Sequence, residues 1–288
     1  MFAVYKKEMR GYFRSLLGYL FLAFYFLFLG IYVYIYNLDG EYANFAYAVN
    51  GVARFFVLLI PMLTMRVFAE ERRQKTDQLL FTSPVSLPRI VIGKYLALAS
   101  VMAVASAGTC IYPLILRRYG ETNAAISYST IAAFFLLGCA YMGIGMFVSA
   151  LTESQVVAAV LTFIVILFTW VVDLVSEIVP TDAVTALIIW LVIGVLFGIL
   201  LYRMMKSLPA AAAGFVLYTG TVLGIFFLNR ELLDGSVGKV YGFFSLLTRF
   251  EPFMYGIFTP SVFVYYLSMI VLFVFLTVEI LWKRRWSE

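Results

Sequence analysis

Glu70-Glu71-Arg72-Arg73-Gln74-Lys75-Thr76-Asp77-Gln78-Leu79-Leu80-Phe81-Thr82-Ser83-Pro84-Val85-Ser86 interrupts two long apolar runs. Six of its first eight residues are charged, and no helix breaker occurs before Pro84. Glu71 stands four residues before Lys75, the favourable orientation for a helical ion pair. The pattern predicts an amphipathic cytoplasmic helix over 70–83, apolar at Leu79, Leu80 and Phe81. Ser83-Pro84 ends it, and Ser86 is placed to cap the next helix.

The runs on either side set the fold class. With 64% hydrophobic residues and a mean hydropathy of +0.97, the 288-residue chain has too little polar surface for a water-soluble globule. Unpaired backbone groups are not tolerated in hydrocarbon, so long apolar segments are expected to be helical. The expectation is an all-α polytopic membrane protein with about eight crossings, near 16–36, 52–69, 92–116, 128–150, 156–176, 183–202, 208–228 and 260–282.

Lysine and arginine resist translocation and mark the inner side. With the N-terminus inside, only Arg54, Arg117, Arg118, Arg230, Lys239 and Arg249 of the 21 basic residues fall outside. Both termini are then cytoplasmic, in a cell membrane. The net charge of +5 follows from this topology and needs no nucleic-acid partner, because the charges flank separate spans and form no single stripe. The first apolar run is too long for a cleavable signal peptide and lacks a small-residue cleavage site. Residues 1–15 suit an interfacial helix, with Phe2, Tyr5, Met9, Tyr12 and Phe13 broadly opposed to Lys6, Lys7, Arg10 and Arg14; a charged extension of the first span is the alternative.

The chain offers little chemistry of its own. It has no histidine, which removes the commonest general base and metal ligand. Cys110 and Cys139 lie within apolar runs as packing residues, and no phosphate-binding loop or zinc motif is present. Glu279 precedes Lys283 by four residues, which predicts a helical ion pair. A secondary carrier is disfavoured, since no ionisable group sits at a membrane centre and no inverted repeat is visible.

Several motifs carry a family resemblance. Arg66 to Arg73 with Thr76, Leu79-Leu80, Thr82 to Ser86 and Ile92-Gly93-Lys94 resembles ABC-2 type transporter permeases, particularly the gliding-motility-type branch. Phe147 to Thr152 with Gln155 to Ala158 adds a weaker match. Phe250-Glu251-Pro252-Phe253 with Gly256, Tyr265 to Ser268, Phe275 to Thr277 and Arg285-Trp286 supply another. The resemblance implies a type V exporter-like transmembrane domain with a six-helix core. It implies a coupling helix, carrying Glu70, Glu71, Arg72, Arg73, Thr76, Leu79, Leu80 and Phe81, seated on a separate ATP-binding cassette ATPase subunit that binds ATP and magnesium. The chain itself is then non-catalytic and binds no cofactor. It departs from the family pattern at Lys75, where glycine is common, and at Gln78, where glutamate is common.

The expected organisation is an interfacial helix at 1–15, five spans over 16–176, and an inserted hairpin over 177–230. An outer re-entrant or interfacial segment follows at 231–259, and the last span with its basic tail at 260–288. Gly194 with Gly198 and Gly220 with Gly224 make GxxxG spacings that favour close helix packing in the hairpin. Phe21, Tyr25, Phe28, Tyr32 and Tyr36 share a face of the first span and are candidates to line a path for an amphiphile, although packing explains such a stripe equally well. Phe250, Glu251, Pro252 and Phe253 are candidates for an outer gate, a role the resemblance implies. The expected partners are the ATPase, a second copy or related permease, membrane lipid and an optional extracytoplasmic accessory protein. The function expected is export of an amphiphilic or lipid-like solute; the alternatives are an ATP-driven mechanical or signal transmitter on the same scaffold, or a secondary carrier.

Overall fold

A computed structural model describes residues 1–76, 85–118, 123–178 and 182–285. Among these the chain is helical and contains no strand. The helices are α1 (Phe2–Arg14), α2 (Leu16–Tyr32), α3 (Ala46–Arg54), α4 (Phe56–Thr64), α5 (Ala69–Arg73), α6 (Leu87–Thr109), α7 (Ile111–Leu116) and α8 (Ala124–Leu151). They continue with α9 (Gln155–Ile178), α10 (Ala183–Met205), α11 (Leu208–Leu228), α12 (Arg230–Leu233), α13 (Ser236–Phe244) and α14 (Pro260–Arg285). A π-helical stretch, Val33–Asp39, prolongs α2, and a 3₁₀ turn, Glu251–Tyr255, precedes α14.

Six stretches are long and apolar enough to cross a bilayer: Leu16–Asp39, Leu87–Leu116, Ala124–Leu151, Gln155–Val175, Ala183–Arg203 and Pro260–Arg285. The pair α3 and α4, bent by 56°, makes a seventh if counted as one span. The expected count of eight is not confirmed. Helix α11 occupies the expected 208–228, and its described apolar stretch is Ala212–Leu228. The second run, expected to be one helix over 52–69, differs. It starts six residues earlier, at Ala46, and breaks at Phe55, whose N–H bonds Val52 O at 2.8 Å in a 3₁₀ turn. Phe55 stacks on Phe28 at 3.9 Å, which holds the break in place.

The chain divides into two compact units. The first comprises Met1–Phe168 and Leu247–Glu288. Its centre is α8, apolar on every side as a helix surrounded by helices must be; α3, α4, α6, α14 and the 3₁₀ turn pack around it. Asn123 caps α8, its Oδ1 accepting from the N–H groups of Ala125 at 3.1 Å and Ile126 at 3.3 Å. Ser86 holds the N-cap position of α6 without a side-chain capping bond, and Pro88 occupies the first turn. Helix α1 is separated from α2 by extended backbone at Ser15 and lies along α6. Gly93 permits that approach, because a Cβ there would stand 3.0 Å from the Met1 carbonyl oxygen.

The second unit, Thr169–Leu246, contains the antiparallel pair α10 and α11, which turns at Lys206. Gly194 and Gly198 lie under Tyr218 and Phe215 of α11, so this GxxxG is used within the hairpin. Gly220 and Gly224 instead face open space. Ala183, Ala186, Leu233 and Val237 form a small core, beside which Trp190 Nε1 donates to Ser236 Oγ at 3.0 Å.

The expected 70–83 helix is interrupted within its described part, because α5 ends at Arg73, and residues 77–83 of it lie outside the described residues. Lys75 turns left-handed at φ 55°, its N–H bonds Arg72 O at 3.0 Å, and the Thr76 N–H bonds Glu71 O at 2.9 Å. This is the Schellman pattern, in which the left-handed residue is usually glycine. The glycine that the resemblance implies at this position would make this turn freely, and the lysine makes it under strain. Lys75 is exposed, so Lys75→Gly should remove the strain without losing packing. The expected gain is about 1 kcal/mol, measured by thermal unfolding in detergent; a loss of stability would show that the lysine side chain matters more than its backbone.

Candidate functional site

The short helix α5 is tied down at both ends and on two sides. Its first N–H groups have no cap from their own segment. Ser149, near the end of α8, supplies one from across the fold. The Ser149 Oγ accepts from Phe68 N–H at 3.1 Å and Ala69 N–H at 3.2 Å, and donates to Met65 O at 3.1 Å. One hydroxyl so satisfies donors that a helix start otherwise leaves open.

On one side of α5 lies Lys94 of α6, only 2% exposed. Its ammonium meets Glu8 of α1 at 2.9 Å, Glu71 of α5 at 3.0 Å and the Val67 carbonyl oxygen at 2.8 Å. The contacts to Glu8 and Val67 are hydrogen bonds, and that to Glu71 is an ion pair. The Phe68 ring lies 5.1 Å below it, adding a cation–π contact. Removing a charge from water costs several kcal/mol, and only such complete pairing makes it tolerable.

Lys7 of α1 closes the arrangement by bonding Glu71 at 3.0 Å. Desolvation alone would lower its pKa, but the hydrogen bond and charge of Glu71, with Glu8 and Glu70 behind it, outweigh burial and raise it above the ordinary lysine value. The Tyr12 phenol, wholly buried with the Arg66 guanidinium 4.9 Å above its ring, is also held protonated, chiefly by burial. On the other side of α5, Arg72 pairs with Glu153 at 2.6 Å in the turn between α8 and α9.

Glu71 therefore faces inward, and the Glu71–Lys75 pair expected along one helix does not form. Glu70, Glu71 and Thr76 line a cleft of about 680 Å³ with Lys7, Glu8, Arg66 and Lys94. Arg73 is exposed. Leu79, Leu80 and Phe81 lie outside the described residues. The sequence shows Lys94 only as part of the Ile92-Gly93-Lys94 motif, and its pairing with Glu8 and Glu71 is visible only in the fold. Its position seven residues into α6, about 10 Å along the axis, beside Gly93 and amid Ile90, Val91 and Ile92, was the available signal.

The other candidates lie elsewhere in the first unit. Phe21 and Tyr25 are fully buried; Phe28, Tyr32 and Tyr36 are half-buried. Tyr25 shares a 2.7 Å hydrogen bond with Thr109 of α6 and packs its ring on Phe134 of α8, while Tyr36 stacks on Tyr47 of α3. At the opposite end of α8 from Ser149, Phe250 and Phe253 are buried beside Pro252, and Glu251 is exposed. Thr130 of α8 donates to Phe253 O at 3.2 Å and Asn44 Nδ2 to Met254 O at 2.8 Å, which anchors this 3₁₀ turn.

A family model described as ABC-2 family transporter protein matches residues 2–281. No curated protein and no solved structure matches the chain.

Proposed function

The chain belongs to the ABC-2 transporter family, and from that premise we propose that it is the permease subunit of an ATP-binding cassette transporter, in the gliding-motility-type branch. It works in the cell membrane as a homodimer or with a related permease, with both termini cytoplasmic. A separate ATPase subunit binds ATP and magnesium and supplies the energy. The solute is amphiphilic or lipid-like, and it is exported.

The observation that carries this reading is the attachment of α5. The segment that would dock the ATPase is held by Ser149 to α8, by Glu71 and Lys94 to α6 and α1, and by Arg72 to Glu153. Force applied to it passes into several helices as a rigid-body movement and is not dissipated in a loop. The apolar residues Leu79, Leu80 and Phe81 supply the docking affinity, because buried apolar anchors outweigh rim charges.

Copurification tests the reading. An ATPase subunit should accompany the wild-type chain from its native membrane, and Leu79→Asp with Leu80→Asp should release it while the permease remains folded in the membrane. Retention of the ATPase by the double variant, or an ATPase-free wild-type preparation, rejects the assignment.

A further inference from the structure

Helices α6 and α14 both lean on α8 near Gly143, where a Cβ would stand 3.6 Å from Phe273 and 3.9 Å from Tyr95. Between them runs a groove of about 540 Å³, walled by Ile92 and Tyr95 on one side and Val274 and Phe275 on the other, and ending at Glu279 and Trp282. The Tyr95 hydroxyl turns inward to the Cys139 carbonyl at 3.1 Å, so only its ring is offered to the groove. The single charged group in the lining is Glu279.

Length, anchoring and charge converge on one occupant. The groove extends along α14 from Ile270 to Trp282, about 18 Å at 1.5 Å per residue. That matches one leaflet of hydrocarbon, about 15 Å deep. Trp282, 50% exposed at the end of this run, stands where an interfacial tryptophan is expected, with Lys283 immediately beyond. The expected Glu279–Lys283 pair does not form, and among the described residues no cation pairs with Glu279. An exposed carboxylate at the mouth of an apolar groove complements the primary ammonium of a headgroup.

We propose that this groove is a binding site for an aminophospholipid, phosphatidylethanolamine, of the leaflet at the C-terminal end of α14. One acyl chain lies between α6 and α14. Glu279 accepts hydrogen bonds from the primary ammonium of the headgroup. Phosphatidylcholine fits the same groove but offers no N–H donor to Glu279. The site requires only that α6 and α14 cross the membrane, so it stands apart from the ATPase and from the transported solute.

Native mass spectrometry of the full chain in detergent provides the test, with phosphatidylethanolamine, phosphatidylcholine and phosphatidylglycerol of identical acyl chains titrated separately. Phosphatidylethanolamine should bind best. Glu279→Gln should weaken it about two- to fivefold, the range for one partly solvated ion pair. Glu279→Lys should shift the preference to phosphatidylglycerol, a gain that misfolding cannot mimic. Equal retention of the three lipids by the wild-type chain, or an unchanged preference in Glu279→Lys, overturns the proposal. So does a Phe275→Arg variant that converts a dimer to monomers without losing lipid, because the groove is then an interface between copies.

Discussion

Lys94→Met is expected to destabilise the protein by about 3–5 kcal/mol, the range for removing one partner of a buried ion pair. Methionine fills a similar volume, so the loss reports charge and hydrogen bonding more than a cavity. Without the ammonium, Glu8 and Glu71 approach one another with only Lys7 for compensation, and the Val67 carbonyl oxygen loses its donor. The buried Cys139 thiol is a convenient reporter: in a Cys110→Ser background, maleimide labelling on heating in detergent follows unfolding. Adding Glu8→Gln and Glu71→Gln to Lys94→Met should recover part of the loss, because uncharged partners no longer repel. A Lys94→Met cost below about 1 kcal/mol would show that water already solvates the cluster and that α5 is held mainly by Ser149.

Gly145→Leu is expected to force α4 and α8 apart. A Cβ at this position would stand 2.8 Å from the Thr64 Cβ. Thr64 cannot move aside freely, since its Oγ1 donates to Ile60 O at 2.9 Å within α4. Overpacking of this kind costs about 1–3 kcal/mol. The consequence reaches farther, because Ser149 lies one turn beyond Gly145 on the same face of α8 and caps α5. Separation of the helices removes that cap, at a further cost of about 1 kcal/mol. Gly145→Leu should therefore speed maleimide labelling of Cys139 and expose α5 to proteolysis. Thr64→Gly should relieve the milder Gly145→Ala variant more than it relieves Gly145→Leu, since only the smaller side chain fits the space vacated. If Gly145→Leu matches wild type in both assays, the close contact of α4 with α8 does not exist in the membrane.

The elements most readily read from the sequence were the long apolar runs at 16–36, 128–150 and 260–282, because uninterrupted hydrophobicity declares itself residue by residue. Ala46–Gly51 was harder to read. Small and polar residues dominate there, and its helix forms because Ala46, Ala48, Val49 and Val52 pack into the first unit. The end of α5 was misread for a different reason. Lys75 gives no breaker signal, yet the backbone turns there, and only the family's preference for glycine hinted at it. In the candidate site, Glu70, Glu71 and Arg72 were recognised as a unit, whereas Ser149, Glu153 and Glu8 were not. They lie about eighty or sixty residues away in the chain, and nothing local marks them as partners.

What the sequence by itself determined is membrane residence and the positions of most of the helices. Transfer of an apolar segment into hydrocarbon is nearly a sum over its own residues, so it can be read without knowing the neighbours. Only the tertiary structure decided how the charges pair: Glu71 with Lys94 and Lys7, not Lys75; Arg72 with Glu153; Glu279 with no cation among the described residues. The physical reason is that an ion pair depends on distance and on exclusion of water, and both are set by helices that meet in space after being far apart in the chain.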